Sequence, residues 1–214
     1  MSVGLLGNKI GMTQIFGKKG EVIPVTVIKV GPCFITQIKS EKNCGYNAVQ
    51  LGYIEISPNS KKVTKPNLGH FTKVGLSPYQ YLKEYKVESG EDYTLGQKVT
   101  VDMFKIGQKI SVTGLSIGKG NGGNLKRNNF SRGPMGHGSK HHRLQGSLGS
   151  GTTPGRVFPG KKMPGRLGNQ KCTISGLEII DFNMNESLLV VKGSIPGKSG
   201  NLISISVKNE DEKN

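Results

Sequence analysis

Residues 202–207 read Leu-Ile-Ser-Ile-Ser-Val, so Ile203, Ile205 and Val207 alternate with Ser204 and Ser206. A period of two places the apolar side chains on one face and the hydroxyls on the other, the pattern of a half-buried strand. Strand-forming composition recurs outward from there, at 187–192, 172–180, 109–115 and 48–56, and in a run holding Val25, Val27 and Val30. Gly17-Lys18-Lys19-Gly20 and Gly31-Pro32 punctuate the N-terminal part as turns. Antiparallel strands joined by short turns close on themselves and so hide their edges. The sequence therefore predicts a mainly β fold, a small closed β-barrel built from both ends of the chain: residues 1–56, 97–118 and 172–208. Residues 57–96 carry Pro58, Pro66 and Pro78 and read as a small mixed insert. Within it Ser77-Pro78 reads as a helix N-cap followed by proline, which predicts a short helix through residues 81–84.

The stretch between these strands has another character. From Asp102 to Glu178 no acidic residue intervenes, while Lys105, Lys109, Lys119, Lys126, Arg127, Arg132, Lys140, Arg143, Arg156, Lys161, Lys162, Arg166 and Lys171 all fall there. The chain has 214 residues and a formal net charge of +16, so this region holds most of the excess. Residues 119–171 are expected to leave the barrel as a long basic loop and to return to it. A structureless loop of this length is unusual in a compact domain unless a partner orders it. Neutralising many phosphates releases condensed counterions, which makes nucleic acid the expected partner. A membrane surface is not expected, because Gly120, Gly122, Gly123, Gly133, Gly136, Gly138, Gly146, Gly149 and Gly151 would break an amphipathic helix. Residues 209–214 read as a flexible acidic tail.

Several motifs within the region invite sharper chemistry and fall short of it. Residues 118–123 satisfy GxGxxG, but 125–130 predict no convincing helix and no acidic residue follows to hold a ribose. Residues 155–162, Gly-Arg-Val-Phe-Pro-Gly-Lys-Lys, place Lys162 where a nucleotide-binding loop needs Ser or Thr for magnesium, and Pro159 removes an amide. Lys161 and Lys162 then read as phosphate contacts, with Arg156 and Arg166 able to bind bidentately or to stack. His137, His141 and His142 have no carboxylate near them in sequence to orient a metal or a general base, and read as nucleic-acid contacts. No catalytic residue, metal site or small-molecule substrate is expected. Cys33, Cys44 and Cys172 are odd in number and widely spaced, so neither a disulfide framework nor a zinc ribbon is predicted. With no long apolar run and no signal-like start, the chain reads as soluble and unexported.

The ordered motifs GLLGNKIGMTQIF at 4–16, PVTVIKVGPC at 24–33, KPNLGHF at 65–71, GKGNGG, GHGSKHHR, GSLGSGTTPGRVFPGKKMPGRLGN and LLVVKGSIPGKSGNLISI at 188–205 resemble the ribosomal protein L-three family of the large subunit over essentially the whole chain. The resemblance implies a translation-protein-like barrel and a loop threaded through rRNA toward the peptidyl-transferase centre. It implies early binding near the 3′ end of the large rRNA, nucleation of subunit assembly, and neighbours in ribosomal proteins L-fourteen and L-nineteen. Any structural magnesium would be bound by the rRNA, and no cofactor is expected. Carried onto this chain, the rRNA-binding set is Lys119, Lys126, Arg127, Arg132, His137, Lys140, His141, His142, Arg143, Arg156, Lys161, Lys162, Arg166 and Lys171. The loop tip nearest the peptidyl-transferase centre is Ser147, Gly149, Ser150, Gly151, Thr152, Thr153 and Pro154. Many bacterial members carry a methylated glutamine before Thr-Pro-Gly; Thr152 stands there instead, so that modification is not expected. The tip and the HGSKHHR stretch resemble cyanobacterial and plastid members, which implies a ribosome in a plastid stroma or a bacterial cytoplasm; abundant Asn, Lys and Ile point to an AT-rich genome and slightly favour the plastid. The competing class is a free RNA chaperone or architectural nucleic-acid binder, and a nucleotide-dependent enzyme is the third.

Overall fold

A computed structural model describes residues 3–58, 60, 63–88 and 93–207 of the chain. In chain order its elements are β1 (Leu5–Phe16), β2 (Val22–Val30), β3 (Cys33–Lys39), α1 (Glu41–Cys44), β4 (Ala48–Glu55), α2 (Lys65–Thr72), β5 (Tyr79–Lys86) and β6 (Lys98–Val99). A single 3-10 turn at Val101–Met103 precedes β7 (Lys109–Leu115), β8 (Asn121–Gly122), α3 (Asn124–Asn128), β9 (Gly165–Arg166), β10 (Lys171–Asn183), β11 (Leu188–Lys192) and β12 (Leu202–Val207). The acidic tail expected at 209–214 lies outside the described residues. The chain divides into two units, one comprising residues 1–115 and 171–214 and the other Ser116–Gln170.

In the first unit β1, β12, β7, β10, β11 and β2 pair in that order, and β2 pairs back onto β1, so the antiparallel ring closes into a barrel. Register shifts at Lys9/Gly11 in β1, and at Ser175/Leu177 and Ile179/Asp181 in β10, supply the local bends that let strands curve around a small core. Leu5, Ile28, Ile110, Val112, Ile179, Leu189, Val191 and Ile205 fill that core at 0 % exposure. Each such side chain contributes about 1.5–3 kcal/mol of transfer free energy. The alternation in β12 holds for Ile203 and Ile205, which point inward. Ser204 points outward, yet it too is buried.

What covers Ser204 is a second sheet of order β5-β4-β3-β6. Tyr85 on β5 shares a hydrogen bond with the Ser204 hydroxyl at 2.7 Å and donates to the Leu5 carbonyl at 3.0 Å. Gly4 makes room for this contact, since a Cβ there would strike both the Tyr85 ring and the Ile205 carbonyl. Two expectations are corrected here. Residues 1–56 do not all enter the barrel: both edges of β2 are taken, by β1 and β11, so β3 and β4 have no barrel edge left and pair with β6 and β5 instead. The same holds for β6, which was expected with the barrel.

Residues 81–84 are strand and not helix. Tyr79, Tyr81, Lys83 and Tyr85 occupy one face of β5 and Gln80, Leu82, Glu84 and Lys86 the other, and β4 pairs along the length. Aromatic side chains favour such a half-buried pleated surface. The carbonyl of Pro78 accepts from Ile56 N–H at 2.8 Å, which starts this pairing where a helix cap was expected. The helix of the insert lies earlier, at α2, with Pro66 in its first turn and Phe71 buried against Tyr79 in an edge-to-face contact of 5.8 Å.

Candidate nucleic-acid interface

The second unit begins as a narrow stem. Ser116 N–H donates to Gln170 O at 2.9 Å, Asn169 N–H to Ser116 O at 3.2 Å, Lys119 N–H to Leu167 O at 2.9 Å and Leu167 N–H to Gly120 O at 2.8 Å. β8 and β9 continue it, with Asn121 opposite Arg166 and Gly122 opposite Gly165. Gly168 permits the close approach: its φ is +71° and a Cβ would strike the Ile117 carbonyl. The stem spans Ser116 to Gln170, so Lys171 stands outside it as the first residue of β10, paired with Leu115.

Beyond the stem, polar side chains take the place of a core. α3 forms at Asn124–Asn128, where the sequence predicts no convincing helix, because asparagine amides supply the tertiary support that propensity lacks. Asn124 Nδ2 donates to Lys162 O at 3.3 Å, and Asn128 Nδ2 donates to Asn124 Oδ1 at 2.8 Å and to Met163 O at 3.1 Å. Arg127 Nη1 donates to Met163 O at 2.8 Å, lying where Gly165 has no side chain. That bond uses one of five guanidinium donors. α3 has five residues and follows a two-residue strand, so the GxGxxG stretch does not open a dinucleotide fold.

Farther out, Gly133 N–H donates to His142 O at 3.0 Å, and His142 Nδ1 lies 2.9 Å from Pro134 O. A carbonyl only accepts, so His142 Nδ1 carries a proton and donates it to Pro134 O. Arg156 lies over the Phe158 ring at 5.8 Å. At the tip Ser147 Oγ accepts from Gly149 N–H at 3.2 Å, and Gly155 N–H donates to Gly151 O at 3.1 Å.

The expected contact residues are nearly all open to solvent. Lys119, Lys126, Arg127, Arg132, His137, Lys140, His141, Arg143, Arg156, Lys161, Lys162, Arg166 and Lys171 are exposed, and His142 is half-buried. Ser147, Gly149, Ser150, Gly151, Thr152, Thr153 and Pro154 are exposed, and the exposure runs without a break from 149 to 162. Apolar groups share this surface: Met135, Leu144 and Phe158 are 59, 62 and 59 % exposed. Exposed apolar side chains interleaved with cations and uncontested by any carboxylate make a surface for stacked bases and phosphates. Among the described residues no group of three or more His, Cys, Asp or Glu could hold a metal ion. Cys33, Cys44 and Cys172 are free, and burial pushes the Cys33 thiol up to about 11. No helix of the described residues is long and apolar enough to cross a membrane.

The sequence profile of the family described as Ribosomal protein L3 matches residues 84–194, more than half of the chain and all of the Ser116–Gln170 unit. Large ribosomal subunit protein uL3c of Gracilaria tenuistipitata var. liui is 55% identical over 205 residues, 96% of this chain and 99% of the relative. The chain belongs to the ribosomal protein L-three family. The uL3c of Phaeodactylum tricornutum is 56% identical over 96% of this chain and 98% of its own length, and the cyanobacterial uL3 of Trichormus variabilis is 54% identical over 96% of both. L-three members of plastid and cyanobacterial type are thus similar to this chain at almost equal identity.

Proposed function

We propose that the chain is a structural, rRNA-binding constituent of the large ribosomal subunit, acting by charge neutralisation and shape. The observation that carries this reading is the Ser116–Gln170 unit, a stem and loop without a carboxylate, whose cations and apolar side chains are exposed together. Such a unit has little to bury by itself and gains its surroundings from a polyanion. The stem cations Lys119, Lys126, Arg127, Lys161, Lys162 and Arg166 would neutralise phosphates flanking a narrow rRNA channel. Arg132, His137, Lys140, His141, His142, Arg143 and Arg156 would continue along it, with His and Phe158 faces available for stacking. The small tip from Ser147 to Pro154 is suited to the tightest passage, and in this reading it reaches toward the peptidyl-transferase centre.

Binding near the 3′ end of the large rRNA, nucleation of assembly, contact with ribosomal proteins L-fourteen and L-nineteen, and a plastid in preference to a bacterial ribosome complete the proposal. The names of the relatives support the ribosomal part of it. Chemistry belongs to the RNA, and magnesium would be held there.

Sucrose-gradient sedimentation from the native cells tests the assignment. The chain is expected with the large subunit both in magnesium and after chelation splits the subunits; a slow free pool in both conditions would favour the chaperone reading and sink this one. The interface has its own test. Replacing Lys161, Lys162 and Arg166 together by Ala should weaken rRNA binding and flatten the plot of log affinity against log salt by about two to three, one counterion-release contribution per lost phosphate contact. An unchanged slope would remove those residues from the interface.

A further inference from the structure

We propose a second RNA site on this protein, a phosphate-binding cleft of the first unit in which Lys83 and Lys171 grip one stretch of RNA backbone. It rests on the rRNA-binding reading above and names a contact outside the Ser116–Gln170 unit.

A cleft of about 500 Å³ opens where β5 crosses the barrel strands β7, β10 and β12. Lys83 and Lys171 both line it, and among the described residues none that lines it is acidic. Strand alternation explains the imbalance. Lys83 sits on the barrel-facing side of β5 with Tyr81 and Tyr85, whereas its sequence neighbour Glu84 points the other way and pairs with Lys39. Glu84 therefore cannot serve as counter-ion for Lys83. The Lys83 ammonium lies over the Tyr85 ring at 5.2 Å, and Tyr85 is fixed by its bonds to Ser204 and Leu5, so this cation is placed and does not merely dangle.

Burial first, and the charge of Lys171 second, lower the Lys83 amine to about 8. Two cations brought together in a partly dry cleft whose described lining holds no carboxylate oppose folding unless an anion joins them. The rest of the lining indicates which anion. Leu115, Leu202 and the Tyr81 ring supply an apolar wall, and Asn201 and Thr113 supply amide and hydroxyl groups. A lone carboxylate would use only the cations, whereas a nucleotide brings a phosphate for the lysines and a sugar or base face for the wall.

The test uses the full chain and transcribed large-subunit rRNA. Binding is measured against salt for the unaltered chain, for Lys83→Met with Lys171→Met, and for Lys83→Arg with Lys171→Arg. The Met pair should reduce affinity and lower the salt slope by about one, and the Arg pair should restore both. Acetylation of Lys83, followed by mass spectrometry, should be fast in the free chain and suppressed in the rRNA complex. An unchanged slope in a folded Met pair overturns the proposal. So does protection of Lys83 that requires intact subunits and is absent with rRNA alone, because the ligand would then be an acidic protein surface. If the unaltered chain fails to bind rRNA, the ribosomal reading itself fails; if it binds and only the Lys161, Lys162 and Arg166 variant responds, the cleft alone is refuted.

Discussion

Every buried hydrophobic side chain among the described residues lies in the first unit, whereas between 116 and 170 only Gly122 and Asn124 are buried. The barrel and its second sheet exclude water around Ile28, Ile110, Ile179 and Ile205 and owe their stability to that exclusion. The stem and loop are shaped by backbone bonds and by the part-buried amides of Asn124 and Asn128. A hydrogen bond of that kind adds only about 0.5–1.5 kcal/mol net. One chain thus carries a part that folds by burying its own surface and a part whose exposed cations and apolar groups are complementary to something else.

The comparison can be broken by mutation. The largest effect on folding is expected from Ile205→Ala, at 0 % exposure in the barrel core. It should cost about 2–5 kcal/mol in denaturant unfolding. A loss below that range would mean that the barrel core can collapse around the gap.

Lys83→Met should act in the opposite sense. The amine titrates near 10.5 when unfolded and at about 8 when folded, so as pH falls through that interval the unfolded chain takes up its proton first and stability declines. Below about 8 the penalty is complete, and Met removes it. The variant should therefore melt higher at neutral pH and lose the Lys83 contribution to the pH dependence between about 8 and 10.5, while binding rRNA less well. Equal melting temperatures at neutral pH would show that solvent screens this charge fully.

The smallest change in stability is expected from Phe158→Ala in the exposed loop, within about 0.5 kcal/mol in thermal unfolding. Its rRNA affinity should nevertheless fall, by about 1–3 kcal/mol for a lost stacking contact, in a filter-binding assay. A marked drop in melting temperature with intact binding would overturn the division between the two units.

By itself the sequence determined what is local or additive. Alternation in 202–207 marked β12 and its inward isoleucines, the absence of carboxylates from 103 to 177 marked the segment seeking a polyanion, and the ordered motifs marked the family. Such features are legible because side-chain period and net charge do not depend on which strands meet. Tertiary structure alone decided the pairing: that β3 and β4 leave the barrel, that 81–84 extend as strand under Tyr85, that α3 is held by Asn124 and Asn128, and that the stem begins at Ser116. It also decided the site of Lys83, whose neighbour in sequence is Glu84. On a strand, adjacent residues face opposite ways, so only the packing of β5 on the barrel shows that the two charges never meet.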